Sequence, residues 1–199
     1  MAALPETQHW TVDEYLACEE QSEIKHEYYA GEIYAMTGAS PNHNRISGDT
    51  YAAIHAQLRG SPCEIFGSDQ RVRVSDSHYV YPDISIVCGK AQFDDRRPQS
   101  LLNPTLLIEV LSPPTEDYDR GRKAVSYRAL AGLQEFLLIA QDRQHITHYV
   151  RHAAQQWLVA DVTQPDAIIE LAAIHGRLAL AEVYARVVFE EAGSEKGDS

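Results

Sequence analysis

Two carboxylates stand alone inside apolar, strand-like runs of this 199-residue chain. Asp83 lies in Tyr81-Pro82-Asp83-Ile84-Ser85-Ile86-Val87-Cys88, and Glu109 in Leu106-Leu107-Ile108-Glu109-Val110-Leu111. An ionised carboxylate buried without a partner is strongly destabilising, so a chain that keeps two must compensate them. Two adjacent strands can do so by sharing a divalent cation. Magnesium is usually held by one or two carboxylates, with waters and substrate phosphate completing its shell. A metal so held activates water and stabilises charge on a phosphodiester under attack. Asp83 and Glu109 are therefore the candidate metal ligands and catalytic acids.

A third member follows Glu109. Lys123, Tyr127, Leu130 and Gln134 fall at i, i+4, i+7 and i+11, a single helical stripe. If Tyr127 and Leu130 face the sheet, Lys123 is drawn toward the strand that carries Glu109. An ammonium there can hold an attacking water or offset phosphate charge, and Arg120 and Arg122 flank it to meet a substrate backbone. The plainer reading is an i, i+4 pair with Asp119. His43, at a helix start, can cap that helix or sit beside a metal as base or ligand. Gln70 is a candidate for the cleft lining. Glu27 and Glu32 read as solvated strand residues, and His145, His148, His152 and His175 as ordinary surface or strand residues. Ser112-Pro113-Pro114 reads as a stiff turn, and no GxSxG nucleophile motif is present.

The elements that must position these groups form an α/β pattern. Thr11, with Glu14 three residues on, opens a short capped helix. Residues near 26–37 give two strands turning at Gly31, and 42–59 a helix ended by Gly60. Strands are expected at 63–66, 70–74, 80–88 and 104–111, the last covered on both faces. Residues 119–131 then form a helix capped by Asp119 and closed by Gly132. A buried strand follows at 135–140, a hairpin over 145–150 and 156–162, and a helix at 180–186. The expectation is one α/β domain over residues 1–190, with a mixed β-sheet flanked by helices. An acidic, disordered tail is expected over 191–199.

Bulk properties narrow the class. Hydrophobic residues make up 44% and charged residues 23%, ordinary for a globular protein. No apolar stretch approaches the roughly 20 residues that span a bilayer, and the acidic N-terminus has no signal-peptide pattern. Cys18, Cys63 and Cys88 form no CxxC pair and read as reduced thiols. A soluble, cytoplasmic protein is expected, with no membrane partner. Net charge of -12 disfavours broad attraction to nucleic acid. Local basic groups (Arg71 and Arg73, Arg96 and Arg97, Arg120 to Arg128) leave a nucleic-acid substrate open.

The ordered series Tyr81-Pro82-Asp83, Glu109-Val110-Leu111-Ser112-Pro113 and Asp119-Arg120-Gly121-Arg122-Lys123 with Tyr127 resembles the Uma-type restriction endonuclease family, within the PD-(D/E)XK nuclease superfamily. The resemblance runs from Glu27-Tyr28, Gly31-Glu32 and Ser40-Pro41-Asn42-His43 to Leu133-Gln134-Glu135-Phe136, nearly the whole chain except the tail. It implies a restriction-endonuclease-like core and a cut of DNA dependent on Mg2+ (or Mn2+), with Asp83 and Glu109 as ligands and Lys123 as the catalytic lysine. The chain departs from the superfamily pattern at Leu111, where a lysine is expected two residues after the acid; a lysine moved to the next helix fits Lys123. A noncatalytic DNA- or protein-binding regulatory protein on this fold is the alternative, and a hydrolase of another phosphate substrate a third. A homodimer through the hairpin at 145–162 is compatible with cutting both strands.

Overall fold

A computed structural model describes residues 9–36, 38–113 and 116–189. In chain order, α1 (Val12–Gln21), β1 (His26–Tyr29) and β2 (Glu32–Ala35) lead to α2 (Pro41–Leu58). Then come β3 (Cys63–Gly67), β4 (Val72–Ser75), β5 (His78–Val80), β6 (Ile84–Cys88) and β7 (Leu106–Leu111). A helix made of α3 (Glu116–Tyr118), a π-helical turn (Asp119–Lys123) and α4 (Ala124–Ala129) crosses to β8 (Glu135–Ala140). The chain continues as β9 (Ile146–Ala153), β10 (Gln156–Val162), β11 (Ile168–Leu171), β12 (Gly176–Ala179) and α5 (Leu180–Val183).

The central sheet has the order β10-β9-β8-β7-β6-β3, with β7 and β8 parallel and the other pairs antiparallel. Alternation along β7 assigns its side chains to two cores. Leu106, Ile108 and Val110 join Ile46, Ile54 and Leu180 from α2 and α5, while Leu107 and Leu111 join Ala124, Tyr127 and Phe136 on the α4 side. Coverage on both faces explains why this strand is apolar throughout apart from Glu109.

A smaller antiparallel sheet, β2-β1-β5-β4, stands beside it. Its hairpin turns through Ala30 and Gly31, both at positive φ, as a two-residue turn that follows the strand twist requires. A Cβ at Gly31 would also meet the His9 ring at 2.2 Å. One face of this sheet packs on α1 through Tyr28, Tyr79, Tyr15 and Leu16. Cross-strand partners share a face, so the pairs Glu27–Tyr34, Tyr29–Glu32 and Tyr29–His78 all lie on the other.

Several expectations hold, among them the Thr11–Glu14 capping box, the hairpin at Gly31, the helix before Gly60 and the fully buried strands β7 and β8. Others are corrected. The run 80–88 is not one strand: Tyr81-Pro82-Asp83 carries the chain from β5 in the small sheet to β6 in the large one. Pro82 lacks the N–H that a continuous ladder needs. Asp119 is not a helix cap, because the helix begins at Glu116; Asp119 is buried inside it. Gln134 lies past the helix and is exposed, and the final helix spans only Leu180–Val183. The three cysteines are not all free. The β3–β6 register sets Cys63 opposite Cys88, and a disulfide joins them, while Cys18 stays free. The tail at 191–199 and Pro114 lie outside the described residues. No helix among the described residues is long and apolar enough to cross a membrane.

Candidate active site

The β6–β7 register pairs Ile84 with Ile108, which leaves Asp83 just before β6, beside the strand that carries Glu109. The Val110 N–H donates to Asp83 Oδ2 at 2.7 Å, which fixes the carboxylate against β7. Ser40 caps α2 by accepting the His43 N–H at 3.1 Å. That turn carries His43 Nε2 to 3.3 Å from Asp83 Oδ2. Burial opposes charge on His43, but the hydrogen bond and field of Asp83 outweigh it and raise its pKa. His43 Nδ1 is buried without a hydrogen-bond partner among the described residues.

Glu109 projects to the α4 side, where the Tyr127 hydroxyl donates to its Oε1. Lys123 Nζ lies 2.9 Å from the same oxygen, 2.8 Å from Glu27 Oε1 and 3.6 Å from Asp119 Oδ1. All four charged groups are buried, none above 6% exposed. Burial alone would lower the Lys123 pKa, but Glu109 and Glu27 drive it well above its ordinary value. The side chain is thus a fixed ammonium ion, a donor and not a base. Glu109 is pushed well above the usual carboxylate range, first by burial and then by the charges of Asp119, Asp83 and Glu27, against the pull of Lys123. Three carboxylates, Glu109, Glu27 and Asp119, therefore meet one ammonium ion, and the charge of Asp83 acts on Glu109 from nearby.

The structure pairs His43 with Asp83 and Lys123 with Glu109, and the two pairs are close enough for the charge of Asp83 to act on Glu109. Gln70 is not among them: its amide donates to the Arg71 and Gln99 carbonyls at 2.9 and 3.0 Å and ties down the 97–101 loop. The expected i, i+4 pair of Lys123 with Asp119 is present at 3.6 Å, although Asp119 is no cap. Glu27, expected as a solvated strand residue, escaped the sequence reading. Glu27 is buried, grips Lys123, and accepts the Tyr81 N–H at 3.2 Å, so one carboxylate ties the lysine to the segment that carries Asp83. Only the alternation that opposes Glu27 to buried Tyr28 hinted at this. The π-helical turn over Asp119–Lys123 was equally hidden; such turns recur at functional sites. The basic groups of the sequence are largely consumed: Arg71 is buried, and Arg73, Arg96 and Arg120 pair with Asp76, Asp13 and Glu116.

The fold is shared with the crystal structure of a "putative nuclease belonging to DUF820" from Anabaena variabilis, at a TM-score of 0.68 and 21% identity over 88% of this chain and 98% of that one. Two relatives come from Synechocystis sp. "Uncharacterized protein sll1609" is 35% identical over 171 residues, covering 85% of this chain and 97% of the relative. "Uncharacterized protein slr1290" is 36% identical over 178 residues, covering 89% and 92%. The family model Uma2, described as "Putative restriction endonuclease", matches residues 12–181. That span includes all three sheets, the two-stranded β11–β12 ladder among them, and every charged member of the buried cluster, and the chain belongs to the Uma2 family.

Proposed function

We propose that this chain is a metal-dependent endonuclease that hydrolyses DNA phosphodiester bonds. The observation that supports the reading is the buried contact of Lys123 with Glu109, Glu27 and Asp119, with Asp83 near enough for its charge to act on Glu109. The donor set fits Mg2+ (or Mn2+): hard carboxylate oxygens from Asp83 and Glu109, and no thiolate. No group of three or more His, Cys, Asp or Glu among the described residues is arranged to hold a metal ion. Magnesium, which keeps waters and substrate oxygens in its shell, needs none. When bound, the ion would polarise the scissile phosphate and acidify a water.

The protein's own groups supply the rest. Asp83 is held by the Val110 N–H, and on this reading its other oxygen would meet the ion. Lys123, fixed as an ammonium ion, donates to a phosphate oxygen or to the attacking water and offsets the charge that develops in the transition state. Glu27 and Asp119 keep that ammonium charged and in place. His43, 3.3 Å from Asp83, would take or return a proton at the attacking water.

Incubation with supercoiled plasmid and magnesium or manganese tests the reading. Nicking by the wild type and none by Asp83→Ala or by folded Lys123→Ala is expected. Unaltered cutting by either variant would reject the assigned role. A noncatalytic binding protein on the same fold is the second reading, favoured by the net charge of -12 and by Leu111 in place of a lysine. Plasmid binding without nicking would establish it.

A further inference from the structure

Beside the buried cluster the chain carries a wall of aromatic faces. Tyr34 is the cross-strand partner of Glu27, so its ring stands on the sheet face that meets Lys123. It is 39% exposed, in an edge strand of which no residue is fully buried. Its centroid lies 5.9 Å from that of Tyr118, with the planes 32° apart. Tyr118 immediately precedes Asp119, and its hydroxyl is 3.3 Å from His78 Nε2. On the same face, the exposed Arg122 holds its guanidinium 5.6 Å over the Tyr29 ring, and Tyr29 meets His78 edge-on at 4.9 Å. Arg122 is followed directly by Lys123. Three tyrosines and an arginine thus line one approach to the reacting centre.

Aromatic and guanidinium faces bind nucleotides whose own faces are free, by stacking that tolerates any base. A duplex keeps its base faces inside the stack and must be held through its phosphates. This chain is poorly equipped for that, with a net charge of -12 and with Arg120 and Arg143 both paired to Glu116. We infer that Tyr34, Tyr118, Tyr29 and Arg122 form a base-stacking surface, and that the substrate is a DNA strand with unpaired bases beside the scissile phosphate. This inference rests on the nuclease reading for the word substrate, but the stacking surface is testable by binding alone.

The experiment is fluorescence anisotropy of the full chain with a short fluorescein-labelled single strand, against the same strand in a blunt duplex, in EDTA and again in magnesium. The single strand should bind at least about tenfold tighter than the duplex. Tyr34→Ala should weaken it by about tenfold to a hundredfold, the range expected for one lost stacking partner. Tyr34→Phe, which keeps the ring, should restore wild-type binding, and Arg122→Ala should weaken it without loss of fold by circular dichroism. Equal or tighter duplex binding, no binding of either, or unchanged binding by Tyr34→Ala overturns the proposal. Binding with the expected pattern but no cutting with magnesium or manganese defeats the nuclease reading and leaves the stacking surface standing.

Discussion

Replacing Glu109 with Gln removes one charge from the buried cluster while keeping its shape and its acceptor for Tyr127. Lys123 Nζ is 2.9 Å from Glu109, an attraction of roughly 6 kcal/mol at an effective dielectric of about 20. Glu27 touches the same nitrogen, so its oxygen is at most about 5.7 Å from that of Glu109, a repulsion of at least about 3 kcal/mol. Asp119, bound to that nitrogen in turn, repels Glu109 by at least about 2.5 kcal/mol. Loss and relief nearly cancel before the desolvation of the carboxylate is recovered. Glu109→Gln should therefore leave stability within about 1 kcal/mol of wild type, or raise it. Lys123→Met, which leaves carboxylates facing one another, should cost about 3–5 kcal/mol. Urea unfolding at neutral pH measures both. If Glu109→Gln is as damaging as Lys123→Met, then Glu109 is a structural ion-pair partner and the excess charge that invites a metal does not exist.

Divalent ions should raise the melting temperature of the wild type, by the equivalent of about 2.7 kcal/mol at a hundredfold excess over Kd, and leave Asp83→Ala and Glu109→Ala unmoved; equal shifts in all three would remove the metal assignment. Burial lowers the pKa of His78 from 6.5 to about 4. The unfolded chain binds the proton first as pH falls, so this stability is complete above pH 6.5 and lost toward pH 4. The loss amounts to about 2.5 kcal/mol at pH 4.5. Urea midpoints of His78→Phe should lack that part of the slope; an identical slope would mean that the ring is solvated. The disulfide between Cys63 and Cys88, 25 residues apart, should contribute about 3.5 kcal/mol on the chain-entropy account. Thiol titration of unreduced, denatured protein should find only Cys18; three reactive thiols would refute the pairing.

What the sequence disclosed follows from how local each signal is. Glu109 announced itself because every neighbour in β7 is apolar, and a doubly covered strand has no bland use for an acid. The Thr11–Glu14 box and the Gly31 turn are complete within a few residues. Lys123 was legible as a stripe with Tyr127, although the π-helical turn that seats it was not. Glu27 could not be told from Glu32, since both sit in four-residue strands with similar neighbours. What separates them is the register with β2 and the crossing of a helix almost a hundred residues later. Asp83 was placed inside a strand because Pro82 marks a break without saying which sheet lies on either side. The facing of Cys63 and Cys88 depends likewise on a long-range register.

The small sheet has a consequence for how the site comes and goes. Its strands are three or four residues long and share a modest aromatic core with α1, apart from the two larger cores of the central sheet. Units of this kind open at a lower free energy than the whole molecule. When the β1–β2 hairpin opens, Lys123 loses Glu27 and the segment before Asp83 loses its anchor at Tyr81, while β7 keeps Glu109 in place. The fraction of molecules in which the buried cluster is complete is then set by a local opening equilibrium. A ligand that needs the complete site must close the hairpin, and its affinity is reduced by the closed fraction. Amide hydrogen exchange in β1 and β2 would slow when such a ligand binds, and substitutions in this hairpin would tune that ligand's affinity without touching it.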